Sequence, residues 1–157
     1  MAGTRRPSGT TTDSSAERPE GPWSDPVWID VPGIDPDLAW DENGDCWCAV
    51  VGVAVARIGT RSGKVLEGPL PMGSGTGLRD PEAPHLYRVG EWWYLLVAEG
   101  GTALGRGVSV ARARAPRGPW QPAPGNPLVS HRGTREPVQC TVQCTGHADL
   151  VRTGPGR

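Results

Sequence analysis

The sequence predicts an all-β fold assembled from short hairpin units. Three observations carry that prediction. Glycine and proline are abundant, 23 and 17 of 157 residues, and most of them punctuate strand-like apolar runs as turns do. Seven Trp stand against two Tyr and no Phe, which suits large flat side chains packed between sheets or lining a sugar-like pocket. Finally, a short pattern recurs at the head of successive hairpins. The length fits one ordinary domain.

Residues 1–20 are rich in Ser, Thr, Pro and Arg without periodicity and are expected to be disordered. Order is expected from Gly21-Pro22-Trp23, with a short edge strand over Ser24 to Ile29 that Pro26 limits. Pro32-Gly33 makes a turn, and Ile34 to Trp40 begins a strand. Asp41-Glu42-Asn43-Gly44-Asp45 is a strong hairpin signal, because Asn-Gly accepts the positive φ of a tight turn. Cys46 to Val55 reads as one long apolar strand. The segment Thr60 to Lys64 turns the chain, and Val65-Leu66 returns.

The next unit repeats the plan around the stretch on which the chain is organised, Pro81 to Thr102. Glu82 to Arg88 reads as a strand, Val89-Gly90-Glu91 as a turn, and Trp92 to Ala98 as a strand buried on both faces. Gly107 to Arg112 alternates. Pro81 and Pro84 stiffen the entry at Glu82, so the acid stands on a rigid head; the alternative is an exposed Glu in a strand-entry turn. A third unit starts at Gly146-His147-Ala148-Asp149-Leu150-Val151.

Three heads can therefore be overlaid: Asp35-Pro-Asp-Leu, Glu82-Ala-Pro-His-Leu and His147-Ala-Asp-Leu. Each sets an ionisable residue before a Leu-anchored strand. The spacings, 47 residues from 35 to 82 and 65 from 82 to 147, bracket the size of a four-stranded propeller blade. In a propeller the inner strands converge on a central channel, so Asp35, Glu82 and His147 would face one cavity.

These residues resemble glycoside hydrolase family 43, the β-xylosidases and α-L-arabinofuranosidases. The matching stretches are Gly21 to Trp28, Gly33 to Leu38, Glu82 to Tyr87, Tyr94 to Thr102 and Gly146 to Val151. The resemblance implies a partial five-bladed β-propeller, about two complete blades plus the edges of their neighbours, over residues 21–157. It implies that Glu82 is the general acid, that Asp35 is the acid that orients Glu82 and modulates its pKa, and that His147 lies by the sugar subsite. For His147, a histidine satisfied within the fold is the other reading. For Trp40, Trp92 and Trp93, packing between blades is the default and stacking on sugar the alternative.

The sequence also departs from that pattern. An inverting hydrolase needs a second carboxylate as general base, which the family carries in a proline-rich motif of the first blade. Residues 1–20 hold nothing like it; Asp13 lies among Ser and Thr, and Asp25 and Asp30 come too late. The family's substrate-binding arginine of a later blade has no counterpart. Val138-Gln-Cys-Thr141 is repeated at once as Val142-Gln-Cys-Thr145, and Arg106 stands where relatives commonly carry a histidine. The expected substrate is a xylo- or arabino-oligosaccharide, and this chain alone is expected not to hydrolyse it. A non-catalytic carbohydrate-binding or interaction module is the alternative, and a small structural β-domain with solvated acids a third reading.

The remaining exclusions are compositional. A net charge of −1, with only the short Arg112-Arg114-Arg117 cluster, argues against nucleic acid as partner. No apolar stretch approaches the roughly 18 residues that span a membrane. The first residues have a positive start without an apolar core, so a cytoplasmic product is expected. No cofactor is expected. Cys46 and Cys48 flank Trp47 on one face of a strand and are expected as buried thiols. Cys140 and Cys144, with His131 or His147, match no common zinc spacing, and no oxygen-rich cluster argues for calcium.

Overall fold

The Asp41–Asp45 turn shows how local chemistry builds this fold. The Asp41 carboxylate accepts from the amides of Asn43 and Asp45 at 2.9 and 3.0 Å and from the Trp47 indole N–H at 3.0 Å. One side chain thus closes the turn and satisfies the polar edge of a Trp that is 1% exposed. Burial works to raise the Asp41 pKa, but these hydrogen bonds and the Arg88 charge outweigh it and hold it below its ordinary value.

The structure, a computed structural model, describes residues 10–73, 75–102, 105–131, 144–151 and 153. Among them it contains strands and no helix. The strands are β1 (Thr10–Asp13), β2 (Val27–Pro32), β3 (Asp37–Trp40), β4 (Cys46–Val50), β5 (Ala54–Gly59), β6 (Lys64–Pro71), β7 (Glu82–Val89), β8 (Trp92–Glu99), β9 (Gly107–Ala113), β10 (Gln121–Pro122) and β11 (Val129–Ser130). Strands β3-β4-β5-β6 form one antiparallel meander, and β7-β8-β9-β10 form a second. β11 also pairs with β9, at Val129↔Val108, so β10 and β11 together make an interrupted outer strand. β1 and β2 form a two-stranded ribbon.

Two apolar clusters hold these sheets. In the first, Trp47, Ala49 and Val55 of one meander meet Trp93, Leu95 and Val97 of the other. In the second, Ile29 and Val31 of β2 cover Cys46, Cys48 and Ile58. Both thiols face that second cluster, as their alternation predicts, and burial pushes Cys46 up to about 11 and Cys48 to about 12. Gly63 seats the ribbon against the meander: at φ +66°, its missing Cβ would lie 1.7 Å from the Trp28 carbonyl oxygen, so only glycine permits that approach.

Four expectations are corrected. The expected disorder over residues 1–20 does not hold at Thr10–Asp13, because β-prone threonines pair with the edge of β2. That partner itself lies at Val27–Pro32 rather than Ser24 to Ile29. The expected strand from Cys46 to Val55 is broken at residues 51–53, where Gly52 and Val53 take φ of +82° and +55° and the chain reverses from β4 into β5. No strand follows His147 among the described residues; residues 144–151 run irregularly. Of the repeated Val138–Thr145 segment, residues 138–143, with Cys140, lie outside the described residues.

Candidate functional site

The turn that interrupts the expected long strand is also what joins the first two heads. The Val51 amide donates to the Ile34 carbonyl at 2.9 Å, and the Gly52 amide to the Pro81 carbonyl at 3.4 Å. Asp35 and Glu82, each one residue beyond those carbonyls, therefore flank the same turn. All three heads contain a non-glycine residue in the left-handed region: Asp35 at +52°, Ala83 at +47° and His147 at +51°. Each such conformation costs on the order of 1 kcal/mol or more, and such strain clusters at functional sites.

Glu82 opens β7 ahead of a bulge. The register runs Glu82↔Ala98 and then His85↔Leu96, so the extra residue at Ala83-Pro84 re-aims the head of the strand. The Glu82 carboxylate, 23% exposed, accepts at Oε1 from Nη2 of Arg106, whose side chain is 11% exposed. Arg106 lies just before β9. The backbone of Gly146 rests on its stem: a Cβ there would be 2.4 Å from Arg106 Nε. The third head is thus laid directly over the Arg106–Glu82 pair.

The first head reaches β7 through Asp37. Its Oδ2 accepts from the Leu86 amide at 2.8 Å, and its Oδ1 lies 3.3 Å from His85 Nδ1. A carboxylate only accepts, so Nδ1 is the donor. The His85 ring centroid is 6.1 Å from that of His147, which is exposed. Asp35 is half-buried, and among the described residues no hydrogen bond or ion pair holds its carboxylate or joins it to Glu82.

One strand turn further, Tyr87 donates to Asp149, and the Leu150 amide donates to the Tyr87 hydroxyl at 3.0 Å. Burial, and then the Asp149 bond, pushes the Tyr87 phenol from 10 up to about 12. Asp149 is held below the ordinary carboxyl range by the Tyr87 and Leu150 donors. A raised phenol pKa adds stability that is whole below 10 and is lost as pH rises through about 12. The lowered Asp149 adds stability above its ordinary value, lost as pH falls. The difference in phenolate absorbance between wild type and Tyr87→Phe should therefore titrate with a midpoint of about 12; an ordinary midpoint would mean that the third head does not dock on Tyr87.

Of the three residues singled out in sequence, Glu82 pairs with Arg106, the His147 ring lies beside that of His85, and Asp35 flanks the turn at residues 51–53 without a bond to either among the described residues. Sequence reasoning missed Asp37, although its spacing from Asp35 was a signal, and it treated Arg106 only as a departure. An open groove of about 540 Å³ runs beside the cluster, lined by Trp40, Tyr87, Arg88 and Leu150 among others. Trp40 is 55% exposed there, which corrects its expected packing, whereas Trp93 is buried at 2%. Trp92 lies under the guanidiniums of Arg112 and Arg114, at 4.4 and 3.8 Å. Among the described residues no three His, Cys, Asp or Glu side chains are placed to hold a metal.

Comparison with known proteins places the chain among glycosidases by sequence and fold. The family model described as "Glycosyl hydrolases family 43" matches residues 9–157. The chain is 32% identical over 145 residues to a non-reducing end alpha-L-arabinofuranosidase of Bacteroides ovatus, covering 90% of this chain and 27% of the relative. It is 33% identical over 155 residues to a xylosidase/arabinosidase of Humicola insolens, covering 91% and 28%. The crystal structure of the BlXynB protein from Bacillus licheniformis superposes with a TM-score of 0.81 at 32% identity, over 92% of this chain and 28% of that one. The chain thus spans under a third of the length of these relatives.

Proposed function

We propose, from the premise that this chain belongs to glycosyl hydrolase family 43, that it forms the acid-bearing part of a glycosidase site for xylan- or arabinan-type oligosaccharides. The observation that carries the reading is that the first and third heads both meet β7, the first through Asp37 on the Leu86 amide and the third through Gly146 on the Arg106–Glu82 pair. Xylosidase and arabinofuranosidase relatives supply the substrate class. In this reading the two meanders are adjacent blades of a five-bladed propeller. In a complete site of this kind Glu82 would protonate the departing glycosidic oxygen, Asp35 would orient it, and His147 would contact the sugar. A positioned acid of this kind contributes roughly 10²–10⁴-fold to cleavage.

Inversion needs a second carboxylate on the opposite face of the sugar to activate water, and none of Asp13, Asp25 and Asp30 stands in the motif that would supply it. Residues 1–157 therefore hold a saccharide and do not cleave it. The Arg106–Glu82 pair favours a second reading, a carbohydrate-binding module, because a guanidinium and a carboxylate side by side offer both donors and acceptors to sugar hydroxyls. Calorimetry with xylobiose and with an arabinobiose, beside hydrolysis assays on an aryl β-xyloside and an aryl α-L-arabinofuranoside, tests both. Binding without turnover is expected. Hydrolysis that persists in Glu82→Gln would remove Glu82 from the acid role, and no binding of either sugar would sink the saccharide reading.

A further inference from the structure

Arg106 is fixed from every side. Ser130 Oγ donates to its carbonyl at 3.1 Å, a Cβ on Gly100 would lie 3.1 Å from its Cα, and Gly146 covers its stem. Its Nε–H is buried with no acceptor among the described residues, while Nη2 goes to Glu82. A guanidinium is charged at all ordinary pH values and offers donors only. The oxygen it meets must therefore act as an acceptor. An acid that hands a proton to a leaving group needs a carboxyl edge that is free and donating.

We propose that Arg106 locks Glu82: it is a positioning residue that holds the carboxyl as an acceptor and away from a leaving-group oxygen, so that the identity of residue 106 decides whether this site can act as an acid. The inference rests on the reading of Glu82 as the acid facing a saccharide.

The test measures the carboxyl itself, with no dependence on turnover. Full-length chain is treated with a water-soluble carbodiimide and glycine ethyl ester, and amide formation at Glu82 is followed by peptide mass spectrometry, with and without saturating xylobiose. Arg106→Gln keeps a stem under Gly146 and removes the charge; Arg106→His is the second variant, and Arg106→Lys keeps the charge. Glu82 is expected to couple about tenfold faster in the Gln and His variants than in the wild type, the size of a lost charge-assisted hydrogen bond, and at near wild-type rate in the Lys variant. Xylobiose is expected to slow coupling in the fast variants. Equal rates in wild type, Arg106→Gln and Arg106→His would overturn the lock. Fast variants that xylobiose fails to protect would leave the lock standing and remove the saccharide reading beneath it. Circular dichroism of each variant identifies one that has not folded, and the rates of the others then decide.

Discussion

Glu99→Ala is expected to lose about 3 kcal/mol of stability or more, the largest effect of any single change outside the apolar core. Glu99 ends β8 and is fully buried. Its oxygens accept from the Thr76 amide at 2.9 Å, the Thr76 hydroxyl at 2.9 Å and the Leu78 amide at 3.2 Å. Among the described residues no Lys or Arg pairs with it, and these hydrogen bonds are its polar contacts there. Truncation leaves two backbone donors unpaired in a low-dielectric site, each costing about 1–3 kcal/mol. Glu99→Gln keeps one acceptor and turns an amide group toward donors, so it should cost less than the Ala change. Urea denaturation measures both. The consequence for function follows from chain order, since residues 76–78 lead directly to Pro81 and Glu82. A loss under about 1 kcal/mol for Glu99→Ala would show that water replaces the carboxylate and that the loop needs no anchor.

Asp37→Ala is expected to cost about 2 kcal/mol and to weaken xylobiose binding, whereas Asp35→Asn should leave stability within about 0.5 kcal/mol. The contrast comes from geometry. Asp37 bridges the sheets through the Leu86 amide and the His85 ring, so its loss orphans a donor and frees the imidazole to rotate. Asp35 has no such partner among the described residues, and Asn is among the residues that tolerate its positive φ. Denaturant melts paired with calorimetry separate the effects. If Asp35→Asn destabilises as much as Asp37→Ala, the first head is held through Asp35 as well as through Asp37.

Much of this fold is legible in the sequence because its turns are chemical. Asn43-Gly44 and Val89-Gly90 mark hairpins that the structure places within a residue or two, and the Trp92–Glu99 strand follows from its unbroken apolar run. The turn at residues 51–53 is not legible: Val51 and Val53 favour strands, and a β-branched residue at positive φ is a local misfit. Tertiary structure pays for it, since Val53 is 1% exposed in the shared core and the neighbouring amides bond the two heads. The candidate site is legible as a list of head residues but not as a network. Glu82 and Arg106 lie 24 residues apart, and no local pattern announces that an arginine from the next strand entry will take the acid's oxygen. The first strand escaped for the opposite reason, because a Thr-rich edge strand has the composition of a tail.

The five residues of β4 are all buried, with Trp47 and Ala49 turned to one apolar cluster and Cys46, Cys48 and Val50 to the other. That strand is a party wall between two rooms. Neither room can be emptied without exposing one side of the wall, so the N-terminal ribbon and the second meander, which do not share a sheet, are thermodynamic neighbours through it. Amide hydrogens of Cys46–Val50 then belong among the slowest to exchange, opening only when the molecule opens as a unit.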